Sequence, residues 1–320
     1  HDILRSRGTA TTAAEWLVLA ALFEEIGQLA YAVAVLREAA AREDPVTREA
    51  TRALATHYQR QGDAAAALPV LQVLWHECRD RAAARIAVGL LLEREQFKAA
   101  EDLIDDLRQD GATSAELALL EGELATRTGR LDQAERAFAA AIEAAPQSPT
   151  PRLLRARALV NSKECRHQDI ALTDLRMLVR TFPELIEPCD LLASAREHDG
   201  DIAGALQIRA QMSQRWPDRE AVCLGYARLL ARARDVDLLL AYVEASRRRF
   251  PDSPAWHRLA ADLYRRKGDT AGVVRESFAV YALARTGPAL YSLLDVLLSV
   301  GAVDTAERVL AAAPDGARED

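Results

Sequence analysis

The stretches DGDIAGAL (199–206) and KGDTAGVV (267–274) share one layout, and their glycines stand 68 residues apart. In each, aspartate follows the glycine, and a small or β-branched residue stands five positions after it. The layout recurs with the aspartate in QGDAAAAL (61–68), and with a polar or small residue in its place in IGQLAYAV (26–33), TGRLDQAERAF (128–138) and VGAVDTAERVL (300–310). Glycine enters the left-handed conformation that ends a helix at little cost, whereas a Cβ there is penalised. An acidic residue just after it, such as Asp63, Asp201 or Asp269, is placed to cap the following helix. The small residue five positions on lets two antiparallel helices approach closely.

A second mark falls half a unit away. Phe182-Pro183-Glu184, Trp216-Pro217-Asp218 and Phe250-Pro251-Asp252 are spaced by 34 residues, and Pro146 opens the same series. Proline beyond a helix end prevents its continuation. Between the marks, apolar residues recur at helical spacing, as in Leu68, Leu71, Leu74 or Leu103, Ile104, Leu107. A fixed period of this size is the signature of a repeat array. The period has gaps at Glu95 and Arg234, where REQFKAAEDLI and RARDVDLLLAYV take the place of a glycine turn.

The pattern resembles the tetratricopeptide repeat, a 34-residue helix–turn–helix unit. The W-x2-L-G-x2-Y half appears loosely as Trp16, Leu19, Ala20 and Phe23, and as Leu54, Ala55 and Tyr58. The A-x3-F-x2-A-x4-P half is complete at Ala134, Phe138, Ala141 and Pro146. The resemblance implies an all-α fold, an α-solenoid of antiparallel helix pairs in a right-handed superhelix. It places a lead-in at 1–12 and one array over 13–320, with units starting near 13, 48, 81, 115, 151, 186, 220, 254 and 287. Unit five is irregular: Pro146 to Pro183 spans 37 residues, and the surplus is assigned to the turn around NSKECRHQD (161–169).

Composition agrees with close-packed helices. Half of the 320 residues are apolar but only 5% aromatic, which favours Ala- and Leu-rich helices over a β-sandwich. Net charge is −7, against a general nucleic-acid binder. Residues 1–150 carry 16 basic and 24 acidic groups, and residues 151–300 carry 23 and 19. No run approaches the ~18 apolar residues of a membrane helix. The chain begins with His1 and shows no secretory signal, so an N-terminal segment is expected to have been cut away, and the compartment stays open between cytoplasm and periplasm.

The sequence carries no recognisable catalytic or metal-binding motif. Cys78, Cys165, Cys189 and Cys223 form no CxxC pair and read as small core hydrophobes. The histidines show no HExxH or zinc spacing, and Cys165 with His167 falls short of a ligand set. No phosphate loop occurs. The expectation is therefore no enzyme, no metal and no cofactor.

Repeat arrays act through an extended concave surface. In the resembled family the first helix of each unit lines it, through positions 2, 5, 9, 12 and 13. Carried onto this chain, those positions include Glu49, Arg52, Thr56, Gln59 and Arg60 in unit two, Arg152 and Arg155 in unit five, and Glu187, Asp190 and Glu197 in unit six. Unit seven adds Arg228 and Arg232, and unit eight Arg258, Arg265 and Arg266. Two basic zones flank an acidic one, which suits a peptide or protein segment of patterned charge better than a phosphate backbone. Arg228, Arg232, Arg258, Arg265 and Arg266 are the primary partner-binding candidates, with Arg152 and Arg155 secondary. Arginine forks can grip carboxylates bidentately. The single asparagine, Asn161, excludes the family's asparagine-based carboxylate clamps and ladders.

The leading expectation is a non-catalytic scaffold that holds a protein partner, with oligomer formation left open. A second reading rests on a further resemblance, to periplasmic repeat regions of bacterial exopolysaccharide synthesis and export proteins, and implies glycan or envelope partners. A third makes the chain the substrate-presenting arm of a larger enzyme. The triplet Arg247-Arg248-Arg249 in RRRFPDSPAW (247–256) reads as the cationic end of a helix, with Ser253 capping the next and Trp256 in the core.

Overall fold

The computed structural model describes residues 19–23, 29–40, 47–232 and 236–313. The lead-in 1–12, Trp16, Gly27 and the gap at Arg234 lie outside them. The described residues are helical apart from short turns, with no strand among them. Two compact units divide the chain, residues 1–174 and 175–320.

In the first unit, helices α1 (Leu29–Ala40), α2 (Thr47–Arg60), α3 (Ala64–Cys78), α4 (Arg81–Glu93), α5 (Phe97–Gln109), α6 (Ser114–Arg127), α7 (Leu131–Ala144) and α8 (Pro149–Leu159) follow in order. From α1 to α8 each helix packs on the next, and α6 also touches α4 and α8. First helices thus lie beside first helices, as in a solenoid. Helix α9 (Cys165–Thr181) carries the division between the units. The second unit continues with α10 (Ile186–His198), α11 (Ile202–Arg215), α12 (Glu220–Arg232), α13 (Val236–Arg249), α14 (Pro254–Lys267), α15 (Thr270–Ala284), α16 (Gly287–Ser299) and α17 (Val303–Ala312). They too pack in chain order.

The turn chemistry accounts for the pairing. Gly62, Gly129, Gly200, Gly268 and Gly301 hold φ between +71° and +81°. Where the glycine is missing, Glu95 takes the same conformation, at φ +58°. Asp63, Asp201 and Asp269 each accept the amide hydrogen three residues on, at 2.9–3.0 Å. Five residues past each turn, Ala67, Ala100, Ala134 and Ala205 are wholly buried, and Val273 and Ala306 nearly so. Close approach has its own signature in α6, where a Cβ on Gly122 would stand 2.5 Å from the Phe138 ring.

Three expectations are corrected. The stretch 161–169 is not all turn: it is helical from Cys165, and at 17 residues α9 is three longer than α7, α11 or α13. The surplus therefore lengthens the second helix. Cys165 is exposed, unlike the buried Cys189 and Cys223, because it opens that helix. Trp256 is buried and stacks on Phe250 with centroids 6.0 Å apart. Ser253 holds the cap position before Pro254, but its hydroxyl makes no capping bond.

Candidate functional site

In the second unit, α10, α11 and α12 line an open cavity of about 620 Å³. Glu187, Asp190 and Glu197 reach it from α10, Arg209 from α11, and Arg228 and Arg232 from α12. Arg209 organises the wall. Its guanidinium is largely buried and binds Glu197 at 2.6 Å, Asp190 at 2.9 Å and the Ser194 hydroxyl at 3.2 Å. Burial disfavours its charge, yet the bonds to Glu197 and Asp190 prevail and raise its affinity for the proton. Gly225 makes this possible, since a Cβ there would stand 2.9 Å from Arg209 Nη1.

The second oxygen of Glu197 receives Arg232 at 3.4 Å. Both acids that Arg209 grips are thus engaged by cations. Arg228 is exposed and has no hydrogen-bond or ion-pair partner among the described residues. The cavity consequently presents one uncommitted guanidinium beside one partly neutralised, over apolar surface from Val222 and Ala221.

The remaining candidates sit elsewhere. On α14, Arg258 is exposed without a partner among the described residues, Arg265 pairs with Asp262 at 2.6 Å, and Arg266 donates to the Ala231 carbonyl at 3.2 Å. Arg152 donates to the Pro146 carbonyl at 2.7 Å. Arg155 is mostly buried and clamps α8 to α9 through a bidentate pair with Asp174, at 2.7 and 2.9 Å. That bond accounts for Arg155 structurally.

The first unit has two comparable hollows. Glu49, Arg52, Thr56 and Arg60 line one of about 440 Å³, and Arg52 leaves it to bind Asp80 on the next repeat. Another, of about 450 Å³, is lined by Glu93, Glu123, Arg127 and Arg157. Burial pushes the Glu123 carboxyl up despite Arg157 and Arg127 nearby.

Reasoning from first-helix positions missed Arg209, which belongs to a second helix. The available signal was Gly225, a glycine in mid-helix where the repeat pattern asks for none. It also missed a network in the irregular unit: His167, 1% exposed, lies between Ser162, Asp132 and Glu164. Arg247 does more than close a helix, since it binds the buried Glu276 at 2.6 Å.

The described helices define an all-α array of antiparallel pairs stacked in chain order. No family model matches the sequence, and no curated protein does. Among matching solved structures is a tetratricopeptide repeat protein from Parabacteroides merdae, at 11% identity and a TM-score of 0.47, covering 78% of this chain and 98% of that one.

Proposed function

We propose that the protein is a non-catalytic scaffold that holds a carboxylate-bearing segment of a protein partner in the cavity formed by α10, α11 and α12. The observation that carries this reading is Arg228, a charged fork over an apolar floor with no partner among the described residues. Arg209 and Arg232 neutralise Asp190 and Glu197, two of the three acids lining the cavity, which lowers the repulsion an incoming carboxylate would meet. Arg258, exposed on α14 outside the cavity, is assigned a lesser part in holding the partner. A pairing of this kind is worth more than a surface salt bridge only where the arginine fork is matched bidentately.

The test is fluorescence polarisation with an array of peptides carrying Asp or Glu beside an aliphatic residue, with Lys-substituted peptides as controls. Acidic peptides should bind, more weakly at high salt. Arg228→Glu should weaken them at least tenfold, and Arg258→Glu less. Equal binding by acidic and basic peptides, or by wild type and Arg228→Glu, sinks the assignment.

A further inference from the structure

The irregular unit brings together three donors of the kind that hold transition metals. Asp132 lies in the first turn of α7, Glu164 just before α9, and His167 in its first turn. One donor atom from each lies within 4.8 Å of the others. His167 is the anchor, with its side chain 1% exposed, while Asp132 and Glu164 are 59% and 65% exposed. A buried imidazole thus opens onto two carboxylates that are free to adjust from the solvent side.

The surroundings of the ring fit a metal ligand. Ser162 Oγ is 3.0 Å from His167 Nδ1 and also accepts the Glu164 amide hydrogen at 3.2 Å. The Ser162 carbonyl accepts from the Gln168 amide at 2.8 Å, which fastens the turn. A ligating histidine commonly donates its other ring N–H to such a fixed oxygen, which sets tautomer and orientation. With Nδ1 donating to Ser162, the Nε2 lone pair faces Asp132 Oδ1 at 3.2 Å. In that tautomer both atoms are acceptors, and a cation between them would satisfy both, as a proton on Nε2 would in the other tautomer. For a tetrahedral ion with bonds of about 2.0–2.2 Å, neighbouring donor atoms lie roughly 3.4 Å apart. Glu164 Oε2 lies 3.7 Å from Nδ1, so joining Asp132 at Nε2 requires its exposed side chain to swing round the ring. Arg166 lies 3.9 Å from Asp132 but bonds Glu135 more closely.

We propose that Asp132, Glu164 and His167 form a divalent transition-metal site, suited to zinc by its mixed nitrogen and oxygen donors, with water completing the coordination. The alternative is that the proton sits on Nε2 and His167 only tethers α9 to α7. The three residues by which α9 exceeds α7, α11 and α13 form the helical turn that carries this histidine.

Isothermal titration of chelator-treated, metal-free protein with zinc chloride decides between them. One equivalent of zinc should bind and raise the melting temperature. Asp132→Asn and Glu164→Gln, both exposed and expected to fold, should each weaken binding at least tenfold, and His167→Gln should abolish it. Circular dichroism checks folding of each variant, and the exposed pair suffices where His167→Gln fails to fold. Absence of stoichiometric binding overturns the site. So does an equivalent of zinc that persists in the Asp132→Asn/Glu164→Gln double variant, because other donors then hold it.

Discussion

Two helix-to-helix turns of this molecule do the same job by different means. Between α14 and α15, Gly268 supplies a left-handed residue at φ +75° and Asp269 caps the next helix. Everything needed lies within five residues. Between α8 and α9 no residue of the turn has positive φ. There a buried serine holds the turn, and a histidine ties it to Asp132, 35 residues earlier. Both pairs then add a buried acid on the second helix: Asp174 bound by Arg155, and Glu276 bound by Arg247, His257 and Arg275. Local turn chemistry suffices where the period is regular. Where it is broken, side chains distant in sequence take over.

The sharpest break is at Asp174. Its side chain is 6% exposed, and Arg155 sits over it at 17%. Asp174→Ala leaves that guanidinium buried without its carboxylate, a loss of about 3–5 kcal/mol, read by urea denaturation. A loss below about 1 kcal/mol would mean that α8 and α9 are held by their apolar contacts alone.

Glu276 tests the regular pair in the same way and adds a dependence on pH. Burial would raise its carboxyl, but the bonds from Arg247, His257 and Arg275 outweigh that and hold it below its ordinary value of 4.5. The unfolded chain therefore binds the proton more readily than the folded one. The stabilisation is present above the ordinary carboxylate range and is lost as pH falls through the lower, folded value. Asp80 in the first unit is displaced downward too, where Arg52 and the amides of Ala83 and Ala82 outweigh burial. Glu276→Gln should cost about 1–3 kcal/mol at neutral pH and flatten, without removing, the acid limb of a stability–pH curve. An acid limb identical in wild type and variant would exclude Glu276 as its source.

These two acids also mark where sequence reading ends. The turns were legible because each is local chemistry at a fixed period: glycine, capping aspartate, small residue, proline. Glu95 shows how far that logic reaches, since the gap in the glycine series still takes positive φ. Arg209, Asp174 and Glu276 were not legible. They sit on second helices, and apart from Arg275 beside Glu276 their partners lie 12–29 residues away in directions that only packing sets. Arg155 reads as a groove position by its place in the repeat. Asp174 on α9 takes it up instead, at the same 19-residue separation that joins Arg209 to Asp190 and Glu276 to His257 in the regular units. Arg228 was legible by position, but the absence of an internal partner is a property of the fold.

The smallest effect separates the turns most cleanly. At Gly268 a methyl group would meet nothing within 4 Å, so Gly268→Ala pays only for the left-handed backbone, about 1–2 kcal/mol. Asn161 lies in a turn without any left-handed residue, and its own side chain is exposed. Asn161→Ala should therefore change stability by no more than about 0.5 kcal/mol. Thermal melts of the two variants against wild type measure the difference directly. If Asn161→Ala cost as much as Gly268→Ala, the α8–α9 turn would depend on its backbone after all. The Ser162–His167–Asp132 network would then be a decoration on that turn rather than what holds it.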